Sequence, residues 1–324
     1  MKNMIILFIV ALLCFNCIEY NRNEKTEYKN NNKPNIDFLQ PWEFCYKTES
    51  ELEEHFQGLV TYDVDTLIVQ YIAEYNKGEA DICYYDSDMA FRTEYSNFLD
   101  WIIAFGKKYN IKIIVGLASD AYWWKYFIHH FSNNTMNLFY QEDVKVLREV
   151  MEKYEVEGVY YSNEMFTNPF GYEIVWSKYL NKTISNIESY DVTLPLYISP
   201  FDPSYLPQLK LGRIKMWERF FKNTNFRTMD VFLLQDGYGS LSKDPNKMQM
   251  DRIYKRDKMI RDACLTYSKA NFGLNIELFA SSGYANRERV LRQLQNANKL
   301  GNVIACFTIS HYCIENERGE FFSD

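Results

Sequence analysis

Beyond residue 20 the chain lacks any hydrophobic run close to the roughly 18 residues that a membrane-spanning helix requires, so its body is not built from membrane spans. It also lacks an excess of basic residues, because 36 Lys and Arg stand against 43 Asp and Glu, for a net charge of −7. A nucleic-acid-binding protein would carry a basic surface. We therefore predict no nucleic-acid partner.

Motifs for metals and cofactors are missing as well. The five cysteines beyond residue 20 show no C-x-x-C spacing, which predicts neither a zinc site nor a disulfide framework. The P-loop pattern with its Lys-Ser/Thr pair is absent, and no glycine-rich phosphate turn follows the first predicted strand. We therefore predict no bound metal and no cofactor.

The N-terminal segment, residues 1–16, has the composition of a removable signal peptide. Lys2 supplies positive charge, and residues 4–15 form a short apolar stretch. Cys17 follows directly and resembles the lipid-modified cysteine of a bacterial lipobox, although Asn16 stands where a small residue is usual. We predict that lipid on Cys17 anchors the exported protein to a bacterial membrane, on its periplasmic or cell-surface side. A plainly cleaved signal and a retained anchor are the alternatives.

The rest of the chain divides into a tether and one folded domain. Residues 17–35 are polar and rich in Asn, Lys and Glu, a composition typical of a flexible tether. Apolar residues make up 47% of the chain and aromatic residues 17%, which suits a substantial core and also a cleft that stacks against sugar rings. We predict that residues 36–324 form a single domain.

From residue 36 the sequence alternates short β-rich runs with segments of helical spacing, as in residues 96–109. The eight predicted strands cover residues 37–41, 66–72, 112–118, 158–163, 194–199, 231–235, 273–278 and 302–309. Eight alternating units favour an α/β fold whose parallel sheet closes into a (β/α)8 TIM barrel. An open doubly wound sheet is the alternative. Because little sequence follows the eighth strand, we predict that the last helix is short or missing.

In such a barrel, functional groups collect where strands end and the following loops begin. The predicted strand ends carry many side chains that form hydrogen bonds or stack on a ligand. We predict that the substrate-binding residues are Asn163, Gln40, Trp42, Tyr71, Tyr197, Gln235, Asp236, Tyr238, Asn275, His311 and Tyr312.

Two glutamates define the predicted chemistry. Glu164 ends the fourth strand and Glu277 ends the seventh, so barrel closure would bring both to one mouth. Glycosidic cleavage commonly uses two carboxylates that flank the bond, one giving a proton and the other attacking the anomeric carbon or activating water. A proton donor needs a pKa above about 4.3, and Tyr160, Tyr161 and Phe166 beside Glu164 would supply an apolar wall that raises it.

The Asn163-Glu164 pair, together with a glutamate at strand seven, resembles the retaining glycoside hydrolases of clan A. The segments FLQPW, VFLLQDGYGS and LNIELF also resemble an uncharacterised family of bacterial lipoproteins with glycosidase-like TIM barrels, over roughly residues 36–315. The resemblance implies that Glu164 is the general acid/base and Glu277 the nucleophile. It also implies that Asn163 binds the hydroxyl next to the reacting carbon.

The chain departs from the clan pattern in two places. Where the clan has a tyrosine at strand six, this chain has Gln235 and Asp236, with Tyr238 slightly later. Where the clan has a tryptophan at strand eight, it has His311 and Tyr312.

Three function classes stay open at this point. A glycoside hydrolase that cleaves an extracytoplasmic glycan by a retaining mechanism fits both glutamates. A non-catalytic carbohydrate-binding or scaffold lipoprotein on the same barrel fits the departures at strands six and eight. A lyase or epimerase would show a metal site or a catalytic lysine at a strand end, and the sequence shows neither.

Overall fold

The computed structural model describes most of the chain from residue 33 onward. The described residues are 33–92, 94–121, 123, 133–166, 172–202, 210–239, 241, 247–280, 283–301, 303–315 and 322. The signal peptide, Cys17 and nearly all of the tether lie outside the described residues, so those interpretations stay predictions.

Eight parallel strands form a closed barrel. They are β1 (Ile36–Leu39), β2 (Thr66–Val69), β3 (Lys112–Gly116), β4 (Gly158–Tyr161), β5 (Leu196–Ile198), β6 (Val231–Gln235), β7 (Asn271–Glu277) and β8 (Val303–Phe307). Each strand pairs with the next along the chain, and β8 also pairs with β1. The predicted TIM barrel is therefore confirmed, and the open sheet is excluded because β1 has a partner on both sides.

A helix follows each of the first seven strands. These helices are α1 (Glu49–Thr61), α2 (Phe98–Tyr109), α3 (Asn133–Lys153), α4 (Tyr172–Tyr190), α5 (Lys210–Asn223), α6 (Lys247–Tyr267) and α7 (Arg287–Leu300). Thr48 begins α1 with a capping box, since its hydroxyl accepts the Glu51 N–H while the Glu51 carboxylate accepts the Thr48 N–H. Within the described ranges, every helix is too short or too polar to cross a bilayer.

In place of an eighth long helix, the described residues after β8 form only the π-helical turn Ser310–Glu315. The prediction of a short last helix is confirmed. The Asp37 carboxylate of β1 accepts the N–H groups of Ile309 and Ser310, at 2.6 and 2.8 Å. His55 of α1 contacts the Ser310 hydroxyl at 2.9 Å through Nε2. These buried contacts hold the turn against β1 and α1, where the barrel closes.

The hydrophobic core has two layers. Inside the barrel, side chains from alternate strand positions pack together, among them Ile36, Phe38, Ile68, Ile114, Tyr160, Leu233 and Ala305. A larger layer fills the space between the strands and the helices. The five cysteines among the described residues are all buried.

A small three-stranded sheet lies beyond the carboxyl ends of β2 and β3. It consists of Ala73–Asn76, which pairs antiparallel with Glu79–Cys83 and parallel with Ala118–Asp120. This sheet extends the barrel wall on one side of the mouth.

Candidate active site

A cavity of about 520 Å³ lies at the carboxyl ends of the strands. The described residues that line it are Phe38, Gln70, Tyr160, Glu164, Phe201, Gln235, Asn275, Glu277, Phe279 and Phe307. Half of these ten residues are aromatic, and the other half supply two carboxyl groups and three amides. A largely apolar pocket with a few convergent polar groups is the usual form of a small-ligand site.

Both predicted catalytic glutamates line this cavity. Glu277 is the last residue of β7, and Glu164 follows β4 by three residues. Gln235, the last residue of β6, connects the two sides, since its Nε2 donates to Glu164 Oε1 at 3.1 Å and to the Ser199 carbonyl at 2.9 Å. Barrel closure thus brings together side chains that are far apart in the sequence.

The surroundings of Glu164 favour its protonated form. Its one hydrogen bond with the described residues comes from the neutral amide of Gln235, and Tyr160 and Phe201 share its part of the wall. Burial raises the pKa of Glu164 to about 7, while the Gln235 amide opposes the rise. At neutral pH the side chain is therefore able to supply a proton.

Glu277 has stronger support for a negative charge. Its Oε2 accepts the backbone N–H of Gly239 at 2.5 Å, and the side chain is only 3% exposed. Burial raises the pKa of Glu277, and the nearby Glu164 adds to the rise. The Gly239 N–H and the Arg289 and Arg256 guanidinium groups oppose it. Burial thus raises the pKa of both carboxyl groups to about 7, while their hydrogen-bond partners differ: a side-chain amide for Glu164 and a backbone N–H for Glu277.

The turn after β6 positions the Gly239 N–H that donates to Glu277. Asp236 Oδ1 accepts the Tyr238 N–H at 3.2 Å, and Asp236 Oδ2 accepts a hydrogen bond from Gln293 of α7 at 2.5 Å. Gly237 has a φ of 70°, a conformation that glycine adopts readily. A side chain at Gly239 would place its Cβ 2.4 Å from the Phe279 ring. Asp236 therefore lies behind Glu277 and holds the turn, and it does not line the cavity.

Helix α7 also supports the strand end that carries Glu277. Arg289 donates to the carbonyls of Glu277 and Phe279, at 2.8 and 2.5 Å. Gln293 Nε2 donates to the Glu277 carbonyl at 3.1 Å as well as to Asp236. The sequence did not single out Arg289 or Gln293, since nothing in the helix pattern shows that these polar residues face the strand end.

Of the predicted substrate-binding residues, Gln235 and Asn275 line the cavity. Asn275 Nδ2 donates to the Ser199 hydroxyl at 3.0 Å. Asn163 is buried beside Glu164 in the chain, at 2% exposure, but is not among the described residues of the cavity wall.

Five more predicted residues lie at the rim, outside the cavity wall. Gln40 Nε2 donates to Gln70 Oε1 at 3.4 Å, and Trp42 stacks on Tyr71. His311 Nδ1 lies 2.8 Å from a carboxylate oxygen of Glu43, and its ring packs edge-on against Tyr312. These side chains surround the mouth at the ends of β1, β2 and β8.

Two predicted substrate-binding residues, Tyr197 and Tyr238, pack away from the cavity wall. Tyr197 packs inside the barrel, and burial raises its pKa with smaller contributions from Asp65 and Glu157, which precede β2 and β4. Its ring therefore lies toward the amino ends of the strands, opposite the mouth. Tyr238 is 1% exposed and packs against Met250 of α6. Neither is among the described residues of the cavity wall.

The sequence analysis also missed much of the cavity wall. Phe38 and Phe307 lie within the predicted strands 37–41 and 302–309, and both reach the cavity from inside the barrel. The alternation of side chains along each strand indicates which residues point into the barrel. The predicted site includes only residues at strand ends. Among the described residues, no cluster of three or more His, Cys, Asp or Glu side chains could hold a metal ion.

The described residues thus form a closed (β/α)8 TIM barrel with two glutamates in a cavity at the carboxyl ends of its strands. The chain belongs to the family described as a domain of unknown function, DUF4434, which matches residues 37–317. No curated protein shows significant sequence similarity to it.

Solved structures share the fold. One, from Bacteroides thetaiotaomicron and described provisionally as an α-L-fucosidase, has a TM-score of 0.69 and 17% identity, and the match covers 93% of this chain and 99% of that one. An endo-1,4-β-D-mannanase from Thermotoga petrophila has a TM-score of 0.59 and 10% identity, with 85% and 88% covered. A GH113 β-1,4-mannanase has a TM-score of 0.53 and 11% identity, also with 85% and 88% covered. At these identities the similarity establishes the fold.

Proposed function

We propose that this protein is a glycoside hydrolase that cleaves a glycan outside the cytoplasm by a retaining mechanism, with Glu164 as acid/base and Glu277 as nucleophile. The observation that carries the proposal is the presence of both carboxyl groups in one cavity, where Glu164 accepts a side-chain amide and Glu277 a backbone N–H. The proposal includes export and a lipid anchor on Cys17. It involves no cofactor.

Each step assigns one role to each carboxyl group. Glu164 gives its proton to the glycosidic oxygen while the Glu277 carboxylate attacks the anomeric carbon, so the C–O bond to the leaving group breaks as a glycosyl ester forms. Glu164, now ionised, takes a proton from water, which attacks the anomeric carbon and releases Glu277. The Gly239 N–H orients the attacking carboxylate through its hydrogen bond to Oε2.

The cavity wall restricts the substrate. The rings of Phe38, Phe201, Phe279 and Phe307 offer apolar faces for the C–H groups of a sugar ring. The amides of Gln70, Gln235 and Asn275 offer hydrogen-bonding groups to hydroxyls. A neutral sugar suits such a wall better than an anionic one, because the two carboxylates repel negative charge.

The test is an activity screen with a defined glycan panel. The panel contains aryl glycosides of fucose, mannose, xylose and galactose in both anomers, and oligosaccharides of two to four units of each sugar. For the panel member that wild type cleaves, Glu277→Gln should lower kcat by roughly 10³-fold or more, and Glu164→Gln by about 10²-fold or more. The control Glu188→Gln, at an exposed position of α4, should keep wild-type activity.

Azide separates the two glutamates. With the Glu164→Gln protein and an aryl glycoside, azide should restore turnover and give a glycosyl azide, because azide needs no general base. A Glu277→Gln protein with wild-type activity, or a wild type that cleaves nothing in the panel, would contradict the proposal.

The second candidate is a carbohydrate-binding lipoprotein without turnover. The observation that favours it is the position of Tyr238, which is buried against α6 and supplies no hydroxyl to Glu277. A binder would retain a panel sugar in calorimetry while wild type and Glu277→Gln proteins both leave it uncleaved.

A further inference from the structure

An exposed indole stands at the rim of the barrel mouth. Trp42 lies in the short helix Pro41–Phe44, which directly follows β1, and it is 39% exposed. Its ring stacks on Tyr71, with centroids 5.4 Å apart and an interplanar angle of 18°. We refer to Trp42 and Tyr71 as the rim platform. Tyr71 thus packs against one face of the indole.

Buried side chains pack behind the Tyr71 ring of the platform. The Tyr71 ring contacts the buried Tyr84 ring, at 6.2 Å between centroids, and the Tyr84 hydroxyl donates to Glu74 at 2.5 Å. Burial, followed by the Glu74 carboxylate, raises the pKa of Tyr71, so its hydroxyl stays protonated. A ring fixed before binding loses little conformational entropy when a ligand stacks on it.

The rim platform is connected to the cavity. Gln40 precedes the Trp42 helix, and its Nε2 donates to Gln70 Oε1 at 3.4 Å. Gln70 lines the cavity and is followed in the chain by Tyr71. The adjacent strands β1 and β2 therefore present the platform directly beside the cavity wall.

We propose that the rim platform is an outer sugar subsite, which stacks a second pyranose ring of a glycan whose reacting sugar occupies the cavity. The inference rests on the proposed function and names its substrate class as a neutral oligosaccharide of at least two sugars. The C–H face of a pyranose carries partial positive charge and complements the negative π face of the indole. The Gln40 amide beside the platform provides a donor and an acceptor for sugar hydroxyls.

The experiment measures how affinity depends on chain length. Proteins carrying Glu277→Gln, alone and combined with Trp42→Ala, Trp42→Phe or the control Tyr46→Ala, are titrated by calorimetry with mono-, di- and tetrasaccharides of the glycan panel. Tyr46 is 69% exposed and lies four residues beyond Trp42, so it controls for the loss of a nearby exposed aromatic ring. Thermal unfolding of each variant checks that the fold is intact.

The inference predicts that the disaccharide binds more tightly than the monosaccharide, and that Trp42→Ala removes this gain. The loss should be about three- to tenfold, the size of one stacking contact. Monosaccharide affinity should be unchanged, Trp42→Phe should keep part of the gain, and Tyr46→Ala should keep all of it.

Several outcomes would overturn the inference. These are a gain that survives in Trp42→Ala, an equal loss for monosaccharide and disaccharide, or no binding by any panel sugar. The proposed function fails separately: chain-length-dependent binding that needs Trp42, without turnover by wild type, keeps the subsite and rejects the hydrolase.

Discussion

Glu164 and Glu277 differ in what surrounds each carboxylate. Glu277 accepts a backbone N–H from Gly239, a donor that cannot lose its proton in the working range of a protein. Asp236 supports this donor by accepting the N–H of Tyr238 in the same turn. The turn after strand six therefore orients the proposed nucleophile through the Gly239 N–H, with support from Asp236. The clan pattern would use a tyrosine hydroxyl in this place.

The alkaline limb of the pH profile should follow Glu164. Because burial raises its pKa to about 7, the proposed acid is protonated below this pH, and kcat/KM should fall as pH rises through 7. Gln235→Leu removes the amide that stabilises the ionised form, so the pKa should rise and the limb should move to higher pH. The measurement is kcat/KM from pH 5 to 9 in both proteins. A limb that stays in place, or moves to lower pH, would show that Glu164 does not set it.

At the scale of the elements, the junction between β8 and β1 closes the barrel with little helix. The buried Asp37 carboxylate binds the N–H groups of Ile309 and Ser310, and the π-helical turn contacts α1 through His55. Among the described residues after β8, this turn takes the place of the long helix that follows each of the other strands. These polar contacts and the burial of Ile309 and Cys313 in the core hold the junction together.

Asp37→Ala should therefore destabilise the barrel by about 2–4 kcal/mol, because two buried N–H groups lose their acceptor. Urea unfolding provides the measurement. Asp37→Asn, which keeps one acceptor oxygen, should cost less. Equal stability of the alanine variant and wild type would show that the junction does not depend on this carboxylate.

The strands could be predicted from the sequence because each is a short apolar run between polar loops. The carboxyl ends of the predicted strands then indicate which residues lie at the mouth of the barrel. That logic identified Glu164, Glu277, Gln235 and Asn275 as neighbours in one site. It gave no sign that the Tyr197 ring lies toward the opposite end of the barrel. It also gave no sign of Gly239, because a backbone donor depends on turn geometry and not on side-chain type.

At the scale of the whole molecule, the closure of the barrel and the proposed export of the protein are two separate features. Closure gathers groups from β1, β2 and β4–β8 around one cavity. The proposed lipid on Cys17 would hold this cavity near a membrane, with residues 18–35 as a spacer. The described residues that line the cavity all lie between Phe38 and Phe307, so the site and the proposed anchor are tested by separate experiments.

Cys17→Ser should release the protein from the membrane fraction of the producing bacterium, because the thiol is the proposed attachment point of the lipid. Immunoblotting of membrane and soluble fractions measures the change, and Cys45→Ser, at a buried position of the barrel, is the control. A Cys17→Ser protein that stays in the membrane fraction would contradict lipidation and favour a retained anchor.

The central claim is that Glu277 forms a covalent bond to the sugar, and the most direct test is to trap that bond. Wild-type protein is incubated with 2-deoxy-2-fluoro glycosyl fluorides of the four panel sugars, then digested and analysed by mass spectrometry. The account predicts one fluorosugar on the peptide that contains Glu277, with slow turnover of the adduct. A fluorosugar on a different residue, or an adduct that forms equally in Glu277→Gln protein, would contradict it.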